Sequence, residues 1–329
     1  MAEAKSTGLL DRVLSIEIAR VTEAAAIAAA RLRGRGDVKG ADGAAVDAMR
    51  RELAKLSIRG RVVIGEGEMD EAPMLYIGEE VGTGEGPRVD IAVDPLEGTT
   101  ICAKAMPNAL AVLAISAEGG LLHAPDMYMN KIAVGPGYPE GVVDLDRTPQ
   151  ENLESLAKAK GVPVSEITAC ILDRPRHSDL INAVRKAGAG IQLIPDGDIA
   201  GVIWTTDPAK TNVDIYLGSG GAPEGVLAAA ALRCIGGQMQ GRLMPLKDEE
   251  KRRAKEMGID DINRKFSMAE MASADVIFSA TGVTDGSLLD GVHFRQGFAE
   301  TETVVMRAAT GTVRRIKTTF RMIRTRPGI

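Results

Sequence analysis

The sequence predicts a layered α/β protein, because it opens with two amphipathic helices and later alternates short strands with helices. Apolar residues three or four positions apart indicate a first helix over 14–32, which Gly34 is expected to end. A second stripe of the same kind covers 46–56. From 168–172 onward, apolar segments alternate with helical ones as far as the Ala-rich helix 223–233. These strands and helices are expected to stack in layers.

Charge and composition exclude several classes of protein. The 329 residues include 40 Lys and Arg against 45 Asp and Glu, a net charge of −5, with 5 Phe, 4 Tyr and 1 Trp. A nucleic-acid-binding protein normally carries a basic excess and stacking aromatics, so nucleic acid is not expected as a partner. Apolar runs such as 24–30 and 226–232 are far shorter than the roughly 20 residues that span a bilayer. No signal peptide is recognised, and the widely spaced Cys102, Cys170 and Cys234 favour reduced thiols in a cytoplasmic protein.

Acidic residues follow two of the predicted strands. Glu66 follows the strand 61–64, and Asp94 and Glu97 follow the strand 89–93. Ligands of α/β proteins gather at the carboxyl ends of strands, and clusters of carboxylate oxygens suit Mg²⁺ or Mn²⁺. The alternative for any one acidic turn is a solvated loop or a helix cap. The first turn carries three more acidic residues: Glu68, Asp70 and Glu71.

The segment Asp94-Pro95-Leu96-Glu97-Gly98-Thr99 is more specific than the other acidic turns. Pro95 restricts the backbone and Gly98 permits an unusual conformation, so the turn can aim two carboxylates, one carbonyl and one hydroxyl at the same point. It resembles the Asp-Pro-(Ile/Leu)-(Asp/Glu)-Gly-Thr signature of the inositol monophosphatase and fructose bisphosphatase superfamily, whose members are metal-dependent, lithium-sensitive phosphatases. Asp42, expected to open a helix after a loop, and Pro107, before a strand, match that superfamily in order and spacing.

Within the superfamily, the chain is most similar to class II fructose-1,6-bisphosphatase over about residues 10–325. The segments that carry this similarity are 64–68, 70–79, 124–129, 220–225 and 278–282. Inositol monophosphatases usually have Asp where Glu97 stands and a Trp-Asp pair where Pro223-Glu224 stands. These departures favour the bisphosphatase.

The resemblance implies a layered α-β-α-β-α sandwich of the sugar phosphatase type. The segment Gly161-Val162-Pro163 favours a boundary near residue 165, with an N-terminal subdomain over 1–165 and a C-terminal α/β subdomain over 166–329, and by resemblance the first binds metal and the second completes the substrate site. The resemblance also implies a cofactor of Mn²⁺ or Mg²⁺. The ligand positions carried over by resemblance are Asp42, Glu66, Asp94, Glu97 and Glu224, with the carbonyl of Leu96 as a further ligand.

Catalytic and substrate-binding roles follow from the same resemblance. Thr99 is expected to orient the attacking water with a carboxylate from Glu66, Glu68 or Asp70, and the alternative for Thr99 is a helix N-cap. Guanidinium groups suit phosphate, so 174–176 is expected to grip the second phosphate, although a surface basic turn is the alternative. The remaining positions expected to contact substrate are Glu97, Gly98, Tyr128, Arg174, Pro175, Arg176, Asp196, Gly197, Asp198 and Gly221.

The implied reaction is the metal-dependent hydrolysis of fructose 1,6-bisphosphate to fructose 6-phosphate, in gluconeogenesis or sugar-phosphate cycling. Sedoheptulose 1,7-bisphosphate is a further candidate substrate. The alternatives are a phosphatase for an inositol or nucleotide phosphate, or a sugar-phosphate sensor without turnover. We expect a cytoplasmic homo-oligomer whose partner is a small sugar bisphosphate, and neither nucleic acid nor a membrane.

Overall fold

The computed structural model describes residue 10 and residues 12–67 and 74–322 of the chain. Glu68, Asp70 and Glu71, which the sequence places next to the predicted site, lie outside the described residues. The α-helices are α1 (Leu14–Ala30), α2 (Val38–Leu53), α3 (Thr99–Ala103), α4 (Pro149–Lys160), α5 (Ser178–Ala187), α6 (Asp198–Trp204), α7 (Pro208–Thr211), α8 (Ala222–Ile235), α9 (Asp248–Glu256) and α10 (Met268–Met271). The strands are β1 (Arg59–Ile64), β2 (Glu80–Val81), β3 (Arg88–Glu97), β4 (Leu110–Ala117), β5 (Tyr128–Val134), β6 (Thr168–Leu172), β7 (Gly190–Ile194), β8 (Ile215–Gly221), β9 (Gln238–Met244), β10 (Lys265–Ser267), β11 (Val276–Gly282), β12 (His293–Arg295), β13 (Phe298–Arg307) and β14 (Thr312–Arg321).

The strands form two mixed sheets. The first has eight strands in the order β12-β13-β11-β4-β3-β1-β2, with β14 paired to β13. In it β1 and β3 are parallel, and the other pairs are antiparallel. The second has six strands in the order β10-β9-β5-β8-β6-β7, in which β6 is parallel to both β7 and β8. The carboxyl ends of parallel neighbours therefore meet at one edge in each sheet.

Helices cover the sheets as layers. One apolar core joins α1 and α2 to one face of the eight-stranded sheet through residues such as Ile18, Met49 and Ile91. A second core packs α8 between the two sheets, and a third packs α4 and α5 against the outer face of the six-stranded sheet. This order of layers, α-β-α-β-α, confirms the expected fold class.

The second helix begins earlier than its apolar stripe predicts. Val38 is its first residue, because the Asp37 side chain accepts a hydrogen bond from the Gly40 N–H at 2.9 Å and caps the helix. Asp42 therefore lies in the second turn of α2, and the expectation that it opens the helix is wrong. The run of charged residues at 247–265 predicts one further helix over that whole range, but α9 ends at Glu256, close to Gly258 with its φ of +86°.

The strand β3 continues through the acidic motif instead of ending before it. Its ladder with β4 shifts register between Asp94 and Glu97. Pro95 has no N–H to donate to a neighbouring strand, so a bulge is the position where a strand tolerates it. The turn begins only at Gly98, whose φ is +81°.

The predicted division at residue 165 stays a prediction. β5 precedes that position and pairs with β8 and β9, which follow it. Cys102, Cys170 and Cys234 are buried and form no disulfide. Among the helices of the described residues, none has the length and apolarity needed to cross a membrane.

Candidate active site

A cavity of about 320 Å³ opens where β1 and β3 end. Because these strands are parallel neighbours, Glu66 after β1 and the motif at the end of β3 reach the same edge of the sheet. α2 and the start of α8 close the cavity from other sides. The structure thus brings together all the predicted ligand positions, Asp42, Glu66, Asp94, Leu96, Glu97 and Glu224, at one cavity.

Burial, and after it the neighbouring negative charges, makes these carboxylates resist ionisation. Burial raises the pKa of Glu66 to about 8, helped by the charges of Asp94 and Asp42. Burial also raises the pKa of Asp94 to about 6 and that of Glu224 to about 7. The pKa of Glu97 lies well above its usual value, first because of burial and then because Asp94 is close. A positive charge in the cavity would relieve this repulsion.

Glu224 shows that a cation is chemically suited to this cavity. Its Oε2 atom is buried and has no hydrogen-bond partner, which is costly for a carboxylate oxygen. The surrounding donors are oxygens, which Mg²⁺ and Mn²⁺ prefer. Among the residues that the structure describes, no group of three or more His, Cys, Asp or Glu side chains is arranged to hold a metal ion. The ligand assignments therefore stay predictions, supported by the donor chemistry.

Thr99 lines the cavity as the first residue of α3. The N-cap position of this helix is Gly98, and no side chain caps it. The alternative that Thr99 is an N-cap is therefore wrong. Its predicted role beside Glu66 stays a prediction, and Asp70 lies outside the described residues.

The two aspartates predicted to contact sugar have different environments. Asp196 lines the cavity, and its carboxylate lies 3.7 Å from the Arg174 guanidinium. Asp198, the first residue of α6, is buried, and its Oδ2 accepts a hydrogen bond from Lys131 Nζ at 2.5 Å. Gly197, which has a φ of +83°, turns the chain between them. Glu97 joins this segment to the acidic motif, since its Oε1 accepts from the Ile199 N–H at 3.1 Å.

Lys131 was not predicted as a site residue. Its side chain is 1% exposed, and Nζ also donates to the carbonyl of Gly221 at 2.8 Å. A lysine in the middle of the apolar strand β5 was the available signal. Its partners are 67 and 90 residues away in the chain, so the sequence alone did not show what it pairs with.

The predicted phosphate grip lies at one edge of the six-stranded sheet. Arg176, in the single turn that follows β6, lies with its guanidinium over the Tyr128 ring, 4.7 Å from the ring centre. Tyr128 is paired with Gly221 across β5 and β8. The structure therefore places Arg176, Tyr128 and Gly221 together. Of these residues, Gly221 lies three positions before Glu224 in the sequence.

The comparisons with known proteins agree on one family. The family model for the bacterial, glpX-encoded fructose-1,6-bisphosphatase matches residues 12–320. The chain is 49% identical over 320 residues to the fructose-1,6-bisphosphatase 1 class 2 of Escherichia coli strain K12, covering 93% of this chain and 94% of that protein. The chain belongs to this family. The class 2 fructose-1,6-bisphosphatases of Escherichia coli O6:H1 and of Shigella flexneri are also 49% identical, with the same coverage.

Membership of the bacterial fructose-1,6-bisphosphatase family confirms the class II resemblance found in the sequence. Of the segments that carried the resemblance, 64–67, 94–99, 124–129 and 220–225 contribute residues that line the cavity, whereas 278–282 lies in β11 and does not.

Proposed function

We propose that this protein hydrolyses fructose 1,6-bisphosphate to fructose 6-phosphate and inorganic phosphate. The observation that carries the proposal is the acidic cavity together with the Arg176–Tyr128 pair: the cavity residue Asp126 lies two positions before Tyr128, and Glu224 lies three positions after Gly221, the strand partner of Tyr128. The acidic cavity suits a phosphate ester bound with divalent ions, and the Arg176–Tyr128 pair suits a further phosphate. A bisphosphorylated sugar fills both.

The metal would be held by the carboxylates of Asp42, Glu66, Asp94, Glu97 and Glu224 and by the carbonyl of Leu96. When bound, two or three divalent ions would neutralise charge on the phosphoryl group and lower the pKa of a bound water. Among this chain's own groups, the Thr99 hydroxyl orients the attacking water, and a nearby carboxylate accepts its proton. Glu66 fits that second role because it lines the same cavity as Thr99 and is ionised when a cation offsets the neighbouring negative charges. Asp70 is the alternative base.

The distal half of the substrate is held by the second sheet. Arg174 and Arg176 bind the 6-phosphate, and Gly221, where a Cβ would lie 1.8 Å from Glu224 Oε2, leaves room for that carboxylate. Asp196, which faces the cavity, accepts hydrogen bonds from the sugar hydroxyls. Asp198 can accept from the sugar only with an oxygen that Lys131 leaves free.

Further properties belong to the same proposal. The metal is Mn²⁺ or Mg²⁺, the enzyme is a cytoplasmic homo-oligomer, and the family lies within the inositol monophosphatase and fructose bisphosphatase superfamily. Sedoheptulose 1,7-bisphosphate, which also carries two phosphates, is the second substrate to test.

Phosphate release with and without Mn²⁺ tests the proposal. Asp94→Ala should abolish metal-dependent release from fructose 1,6-bisphosphate while the circular dichroism spectrum stays that of the wild type. Asp248→Ala is the matched control, because the Asp248 side chain is 97% exposed and does not line the cavity. Full activity of Asp94→Ala would contradict the site.

The same assay separates the alternatives. Release from an inositol or nucleotide monophosphate in preference to the bisphosphate would favour the other phosphatase function. Binding of fructose 1,6-bisphosphate without any release would favour the sensor.

A further inference from the structure

We propose that Ser219 and His177 are positioning residues that orient the Arg176 guanidinium toward the distal phosphate of the substrate. This inference rests on the proposed function, in which Arg176 binds that phosphate. Neither residue touches the substrate in this proposal. Both act through Arg176.

Ser219 holds Arg176 at two points. Arg176 Nε donates to the Ser219 hydroxyl at 3.1 Å, and Nη2 donates to the Ser219 carbonyl at 2.7 Å. Ser219 is 6% exposed and lies in β8, so this anchor is part of the sheet. A guanidinium has five N–H donors, and two of them are used here. Three N–H groups remain on a side chain whose plane is also fixed by the Tyr128 ring.

His177 in turn fixes Ser219. Its Nδ1 lies 2.8 Å from the carbonyl of Leu172, which can only accept, so Nδ1 carries the hydrogen. Its Nε2 then accepts from the Ser219 N–H at 2.8 Å and lies 3.0 Å from the Ser219 hydroxyl. The single lone pair of Nε2 is taken by the Ser219 N–H, so the ring fixes the backbone of Ser219, whose hydroxyl oxygen has lone pairs to accept from Arg176 Nε. The ring is 3% exposed.

The backbone of β8 is shaped to admit this ring. Gly218 has a φ of +141°, and a Cβ there would lie 3.2 Å from the His177 ring. A side chain at 218 would press on the imidazole and move it away from Ser219. The glycine next to Ser219 is therefore explained by the His177 contact.

An exposed arginine normally occupies many rotamers and loses that freedom when it binds phosphate. Arg176 has already lost much of it, because the sheet holds its guanidinium before substrate arrives. Removal of the Ser219 hydroxyl should therefore weaken the grip on a substrate with two phosphates. It should not affect a substrate that lacks the distal phosphate.

The experiment compares fructose 1,6-bisphosphate with fructose 1-phosphate, both at saturating Mn²⁺. Ser219→Ala should raise KM for the bisphosphate by roughly tenfold with little change in kcat, since one hydrogen bond of a charged group is lost. The kcat/KM for fructose 1-phosphate should stay at the wild-type value. His177→Asn, which removes the acceptor for Ser219, should act in the same direction. Ser178→Ala is the matched control, because its exposed hydroxyl donates only to the Pro175 carbonyl in the same loop.

Arg176→Ala separates failure of this inference from failure of the proposed function. If it lowers kcat/KM for the bisphosphate while Ser219→Ala behaves like Ser178→Ala, the positioning role is overturned and the function stands. An equal loss on both substrates in Ser219→Ala would indicate a merely structural role and overturn the inference. If Arg176→Ala leaves kcat/KM for the bisphosphate unchanged, or if the wild type cleaves neither substrate, the proposed binding of the distal phosphate by Arg176 is contradicted. This inference then fails with it.

Discussion

At the scale of single residues, the site depends on charges that are expensive to bury. The Asp198 carboxylate is buried and is compensated by Lys131, whose ammonium group also holds the start of α8 through Gly221. Glu224 has no such partner for its Oε2 atom. The first arrangement is complete within the chain, whereas the second calls for a cation from outside. This difference separates a structural ion pair from a proposed metal ligand.

His177 makes stability depend on pH. Burial lowers the pKa of His177 below its ordinary 6.5, and the positive charges of Arg176 and Arg174 lower it further. At a pH between the two pKa values, His177 therefore binds a proton in the unfolded chain but not in the folded chain. The stabilisation from the neutral ring is fully present above the unfolded pKa and is lost as pH falls from there through the lower folded pKa.

The difference in free energy of unfolding between wild type and His177→Asn should accordingly shrink when urea titrations at about pH 7.5 are repeated at about pH 5.5. Other titrating groups are common to both proteins and cancel. A difference that stays constant, or grows as the pH falls, would mean that the ring is not held neutral.

At the scale of elements, local sequence was sufficient to predict the bounds of a helix or strand where residues of that same segment determine its ends. The strand predicted over 168–172 is confirmed as β6 with the same bounds. The start of α2 could have been found from Asp37, a good N-cap residue, but the apolar stripe begins only at Val46. The continuation of β3 through Pro95 was not predictable in this way, because β4 decides it by pairing on both sides of the bulge.

Two glycines of α2 should respond differently to the same substitution. A Cβ at Gly43 meets nothing within 4 Å, so Gly43→Ala should raise the free energy of unfolding by about 0.5–1 kcal/mol through helix propensity. A Cβ at Gly40 would lie 2.2 Å from Asp37 Oδ2. Gly40→Ala should displace this cap and lose about 1 kcal/mol, which cancels or exceeds the propensity gain.

Urea denaturation of both variants measures the contrast. Each variant is the other's control, since the residue change and the helix are the same. Equal stabilisation by both substitutions would show that the Asp37 cap does not contribute to the stability of α2.

At the scale of the whole molecule, the cavity joins distant parts of the chain. α2, the ends of β1 and β3, and the start of α8 all contribute carboxylates to it. A cation bound by these groups would bind the folded chain and not the unfolded one. Its binding free energy would therefore add to the stability of the fold.

Mn²⁺ should raise the Tm, and at about a hundredfold excess over its Kd it should add about 2.7 kcal/mol to the free energy of unfolding. Differential scanning fluorimetry measures the shift. Asp94→Ala should show a smaller shift, and Asp248→Ala should keep that of the wild type. An unchanged Tm of the wild type at saturating Mn²⁺ would rule out the proposed ligand set.

The sequence by itself determined the α/β class, the alternation of elements after residue 165 and the chemistry of the acidic motif. Local spacing and residue type were enough to predict these three features, because helix faces, strand segments and carboxylate donors can be recognised within short stretches of sequence. Only the tertiary structure decided that Asp42 and Glu224 share a cavity, that Asp198 is paired with Lys131, and that Ser219 holds Arg176. These relations join residues 43 to 182 positions apart, which sheet pairing and layer packing bring together and which no local pattern specifies.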